Sequence, residues 1–172
     1  MSRIRHILID GYNVINQWDF LKKLKDENLE DARDKLVEML QEYAAFKGCS
    51  IYVVFDAHLV PGSVEKHERV GKINVVYTKE GETADCFIER TVPQLVKMGA
   101  VAVVTSDYLE QRITLQMGGI RITPKEFLLE IQNIKTTIKE RAKLPFKEQK
   151  STLEDFIDKD ILEKLEKMRR NL

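Results

Sequence analysis

The feature that most restricts this chain is an alternation. Short runs rich in β-branched residues, at 6–10 (HILID), 50–56 (SIYVVFD), 73–78 (INVVYT), 100–107 (AVAVVTSD) and 119–123 (GIRIT), are separated by stretches with helical spacing. Runs of this length and composition read as strands. Between them, Leu29, Ala32, Leu36, Leu40, Tyr43 and Ala44 fall near one helical face, with Gly48 as the stop. Residues 83–99 and 108–118 read as further helices, and Pro93 predicts a kink or break in the first. Thr123, Pro124 and Glu126 form a capping box that opens a helix running to about Lys143. Strands alternating with helices imply an α/β fold, with a mainly parallel central sheet covered on both faces.

Two segments stand outside this rhythm. Residues 57–72 are long, polar and punctuated by Pro61, Gly62 and Gly71, and they read as a mobile loop. Beyond residue 143 the character changes, so the expected division is a main domain at 1–143 and a C-terminal helical extension at 144–172. Pro145 ends the preceding helix, and Ser151 with Glu154 starts a last one. Its stripe of Leu153, Phe156, Ile157, Ile161, Leu165 and Met168 is expected to pack on the domain. Lys135, Lys139, Arg141, Lys143, Lys147 and Lys150 make a basic run, read either as a solvated face or as a contact to RNA phosphates.

Composition narrows the setting. Lys+Arg and Asp+Glu both number 28, so no global charge draws the chain to nucleic acid, and a polyanionic partner needs a local patch. Cys49 and Cys86 have no CxxC spacing and read as reduced thiols. No apolar run approaches the roughly 20 residues of a membrane helix, and the start of the chain lacks a signal-peptide core. The expectation is a cytoplasmic protein with no membrane partner.

The acids carry the functional signal. Asp10, Asp56 and Asp107 each end a predicted strand, and Asp85 lies in the first turn of the helix that follows INVVYT. Parallel strands end along one edge, where open α/β sheets bind their ligands. Carboxylates gathered there repel one another and raise a pKa, and a hard cation such as Mg²⁺ relieves the conflict. Each acid also has an ordinary explanation. Asp107 suits a helix N-cap, Asp85 is favoured by the helix dipole, and Asp56 could simply terminate a strand. Asn13 can orient substrate or water, and Gly11 allows a turn and the close approach of a ligand. Lys79, Arg112 and Arg121 are candidate phosphate contacts near the same edge. A nucleotide cofactor is not expected, because DGYNVIN has one glycine and the P-loop pattern is absent. Tyr12 stands where an aspartyl phosphatase carries its second Asp.

Taken together, ILIDGYNVI, VVFDAH, VVYTKEGETADCFIE and VVTSDYLEQ resemble the YacP-like group of NYN-domain proteins, within the PIN-like nuclease fold. The resemblance runs from about Ile7 to Leu129. It implies a three-layer sandwich and a metal-dependent endoribonuclease cutting messenger RNA on translating ribosomes, by a water activated with Mg²⁺ or Mn²⁺. It also implies roles by motif match: Asp10, Asp85, Asp107 and Asn13 in catalysis, and Asp10, Asp56, Asp85 and Asp107 around the metal. The rival reading is a non-catalytic RNA- or ribosome-binding module whose acidic cluster is structural.

Overall fold

The structure, a computed structural model, describes residues 3–143 and 159–170. In chain order the elements are β1 (Ile4–Asp10), α1 (Gly11–Gln17), α2 (Asp19–Glu27), α3 (Leu29–Lys47), β2 (Ser50–Phe55), β3 (Lys66–Val70) and β4 (Ile73–Tyr77). They continue with α4 (Ala84–Val96), β5 (Ala100–Val104), α5 (Tyr108–Gln116), β6 (Ile120–Ile122), α6 (Pro124–Ala142) and α7 (Lys159–Arg170). The chain divides into two compact units, Met1–Ile134 and Lys135–Leu172. The expected Pro145 break, the Ser151–Glu154 cap and Leu153, Phe156 and Ile157 of the apolar stripe lie outside the described residues. Leu165 and Met168, later members of that stripe, are exposed.

One six-stranded sheet in the order β3-β4-β2-β1-β5-β6 organises the first unit. All pairs are parallel except β3 with β4. The first crossover carries the chain from β1 to β2 on one side, and β5 later pairs with β1 on the other. Beside β1 the direction of winding therefore reverses, which opens a crevice at the carboxyl ends of its neighbours. Side chains alternate between faces along each strand. Leu8, Val54, Val76, Val101 and Val103 pack with Phe87, Ile88, Val92 and Leu95 of α4. Ile7, Ile9, Val53 and Val104 alternate to the opposite face and are fully buried. On that side α1 and α3 meet β2, and α3 also meets β4.

The caps follow the sequence closely. Gly48 closes α3 at φ 67°, donating its N–H to the Ala44 carbonyl at 2.8 Å. At α6, Glu126 donates its backbone N–H to Thr123 Oγ1, and Thr123 donates its own to Glu126 Oε2, each at 3.2 Å. The buried Trp18 indole donates to the Pro124 carbonyl at 2.9 Å, fastening the α1–α2 corner to the start of α6.

Three expectations need correction. Pro93 does not break α4, which runs through it to Val96; the Glu89 carbonyl that loses its donor belongs to an exposed residue. Residues 57–72 are not all loop, because β3 pairs antiparallel with β4 through a two-residue connection in which Gly71 has φ 59°. A left-handed first residue is what primed hairpin turns require. Every residue of β3 is exposed, so it has no alternation to read, and charged residues are common on such edges. The remaining part, 57–65, is tied to the next turn: Glu80 donates its N–H to the Ser63 carbonyl and Gly81 to the His58 carbonyl, both at 3.0 Å. Finally, the close neighbour of Gly11 is Phe55, whose ring lies 2.5 Å from where a Cβ would stand.

Candidate metal centre

Three acids meet at the switch point beside β1. Asp10 ends β1 and caps α1, accepting the Asn13 backbone N–H at 3.4 Å. Asp85 stands in the first turn of α4, behind the Thr83 cap whose Oγ1 accepts the Cys86 N–H at 3.2 Å. Glu110 stands in the first turn of α5. One carboxylate oxygen from each of Asp10, Asp85 and Glu110 lies within 4.8 Å of the others. All three sit at helix N-termini, so the macrodipoles offset part of the clustered negative charge.

The offset is incomplete. Burial, more than any other cause, raises Asp10 to about 7; the Asp85 charge adds to the rise, the Asn13 N–H opposes it, and the Asp56 charge adds a smaller push. Glu110 is raised to about 9, again chiefly by burial, with the Asp85 and Asp10 charges adding to it. Glu110 is 6 % exposed, and neither carboxylate oxygen has a hydrogen-bond partner. The Thr105 hydroxyl works in the opposite direction but falls short of a hydrogen bond. A buried, unpartnered carboxylate costs free energy. Three hard oxygen ligands around one point fit a divalent cation, which would satisfy Glu110 and remove the repulsion.

The other expected site residues take separate positions. Asp107 is outside the trio: its Oδ1 caps α5, accepting Leu109 N–H at 2.9 Å and Glu110 N–H at 3.3 Å. It lines the same pocket as Asp85 and Glu110. Asp56 is also outside the trio and holds His58, accepting its backbone N–H at 2.9 Å and contacting its Nδ1. Both line an open depression with Asp10 and Asn13. The Asn13 amide donates to Ser106 Oγ at 2.8 Å and accepts the Ser106 N–H at 2.9 Å, which ties α1 to the loop before α5. Lys79 pairs with Glu82 at 3.7 Å. Arg112 and Arg121 are exposed on α5 and β6, and neither lines the pockets beside the trio. Tyr12 packs on Phe55 and accepts from Arg33 Nη1 at 3.1 Å. Glu82 is buried against Arg90, whose Nε lies 2.9 Å away.

Glu110 is the residue that motif reading missed. Its inward position is seen only once α5 is packed, where Glu110, Gln111 and Thr114 are the buried residues, at the i, i+1, i+4 spacing of an inward face. A polar inward face at the end of a parallel sheet is itself unusual.

Fold and site together define an α/β domain with a mostly parallel sheet and an acidic centre at its switch point. The family profile of the YacP-like NYN domain matches residues 7–170, and the chain belongs to this family. It is 38% identical over 165 residues to a Bacillus subtilis (strain 168) protein named only as uncharacterized protein YacP, covering 95% of this chain and 96% of that one. It also matches the crystal structure of Rae1 (YacP) from Bacillus subtilis, with a TM-score of 0.70 at 36% identity over 97% of this chain and 95% of the other. A mutant of the same protein matches with a TM-score of 0.69 at 37% identity, over 79% of each chain. Among the described residues, no helix is long and apolar enough to cross a membrane.

Proposed function

We propose that this protein is a divalent-metal-dependent endoribonuclease acting on messenger RNA presented by the translating ribosome. The observation that carries the reading is the trio of Asp10, Asp85 and Glu110, with the Glu110 oxygens buried and unpartnered. These three residues would hold Mg²⁺ or Mn²⁺. When bound, such an ion supplies an activated water and neutralises charge at a scissile phosphate. The chain's own residues do the positioning. Asp10 is fixed by the end of β1 and by Asn13. Glu110 is fixed by the Asp107 cap, and the Asn13–Ser106 pair holds the two helix starts together. In this reading Asp107 orients α5, and Glu110 takes the place in the metal shell that its motif position suggested for Asp107. The exposed Lys135, Lys139 and Lys143 suit phosphate contacts, and a net charge of zero favours substrate delivered by a larger partner.

The test is cleavage of a reporter messenger RNA in a translating extract beside the same RNA free in buffer. Wild type and Asp10→Asn are each run with Mg²⁺, Mn²⁺ or chelator. The expected result is metal-dependent cuts in the translating sample, lost in the variant. Cuts in both samples make it a general ribonuclease. Binding to ribosomes without any metal-dependent product would make the domain a recognition module instead.

A further inference from the structure

Asp85 and Glu110, two members of the acidic trio, line a slot between α4 and α5. Ile88, Leu109, Ile113 and Met117 give it apolar walls, while Glu89 and Asp107 bring carboxylates from its exposed side. The buried, unpartnered Glu110 lines it from within. The space is about 120 Å³, a few times the roughly 30 Å³ of a liquid water and well below the roughly 300 Å³ at which drug-sized pockets begin. A space of this size suits one ring system whose sugar and phosphate stay outside it.

Its polar chemistry is one-sided. At its mouth, Glu89 and Asp107 offer carboxylates, which when ionised only accept hydrogen bonds, and the Thr114 hydroxyl is already committed to the Glu110 carbonyl at 2.8 Å. Away from a bound cation, a phosphate would be repelled by Glu89 and Asp107. The complementary ligand has flat apolar faces and an edge of adjacent donors. Asp107 spends Oδ1 on the α5 cap, whereas no hydrogen bond or ion pair holds the Glu89 side chain among the described residues. Leu109, which lines the slot, is 63% exposed, apolar surface that a stacked base would cover.

We infer that the slot between α4 and α5 receives a guanine base of the substrate, with the Glu89 carboxylate accepting from its N1–H and 2-amino group. Guanine alone among the four bases places two donors side by side on its Watson–Crick edge; adenine, cytosine and uracil each set an acceptor beside the donor. Single-stranded RNA is commonly read in this way, by stacking plus edge contacts. The inference rests on the nuclease reading for its choice of ligand and would give that enzyme a preference for guanine next to the cut.

The test is a titration of the full chain, in Mg²⁺, with the 5′-monophosphates of guanosine, inosine and adenosine. Methyl NMR signals of Ile88, Ile113 and Met117 are the readout. The guanosine nucleotide should shift all three residues. The inosine nucleotide, which lacks only the 2-amino group, should bind about tenfold more weakly, as expected for losing a charge-assisted hydrogen bond. Glu89→Gln should erase the difference between the two. Equal affinities for the three nucleotides, or no shift at these methyls, would overturn the inference. Binding and cutting are read separately: guanine-specific shifts without any RNA cleavage refute the nuclease and leave the slot, and cleavage without base discrimination does the reverse.

Discussion

Replacing Glu110 by glutamine should make the metal-free protein more stable. The carboxyl is 6 % exposed and its pKa is raised from an ordinary 4.5 to about 9. At pH 7 the native state therefore keeps this proton and the unfolded chain releases it. Between those pH values the unfolded chain binds fewer protons, so stability falls as pH rises. From pH 4.5 to 7, at about 1.4 kcal/mol per pH unit, the loss is about 3 kcal/mol. Glutamine has nearly the same shape and no proton to hold. In chelator at pH 7, Glu110→Gln should therefore exceed wild type by about 3 kcal/mol, or roughly 6–12 °C in Tm for a chain of this length. The advantage should vanish near pH 4.5 and grow toward pH 9. Saturating Mg²⁺ should reverse the order, because only wild type gains the full binding free energy. Urea unfolding at pH 5, 7 and 8, with chelator and with Mg²⁺, reads all of this. A variant no more stable than wild type at pH 7 in chelator, or an advantage independent of pH, would refute the account of a buried, strained carboxyl.

Other perturbations have equally definite outcomes. Gly11→Ala places a Cβ 2.5 Å from the Phe55 ring, and the forced shift should cost about 1–3 kcal/mol in urea unfolding. Thr123→Ala removes one half of a reciprocal capping box and should cost about 1 kcal/mol in the same assay. Asp10 is raised to about 7, so protons compete with metal there, and Mn²⁺ affinity measured by calorimetry should weaken steadily from pH 8 to pH 6.

The sequence displayed the parts of the fold that leave a periodic trace. The buried strands, α3 with its Gly48 stop and the Thr123–Glu126 box were legible because their patterns arise from local geometry. β3 was not, since an exposed edge strand has no inward face to mark. At the site, Asp10 and Asp85 were readable because a strand end and a first helical turn fix where a side chain points. Asp107 and Glu110 illustrate the limit. They are three residues apart, and either could have faced the crevice. Only the packing of α5 shows that Asp107 turns back to cap the helix while Glu110 points inward. Gly11 carried a similar ambiguity, because a close approach is visible in sequence while the identity of the neighbour, Phe55, is not.

The central claim is a metal centre built by Asp10, Asp85 and Glu110. Its most direct test is Mn²⁺ binding, followed by electron paramagnetic resonance, on wild type, Glu110→Gln and Asp107→Asn at pH 8. The account predicts that Glu110→Gln weakens binding at least about tenfold, the loss of one charged ligand contact, while Asp107→Asn stays close to wild type. Binding lost with Asp107→Asn and retained with Glu110→Gln would contradict it and return the metal to the acid that the motif alone suggests.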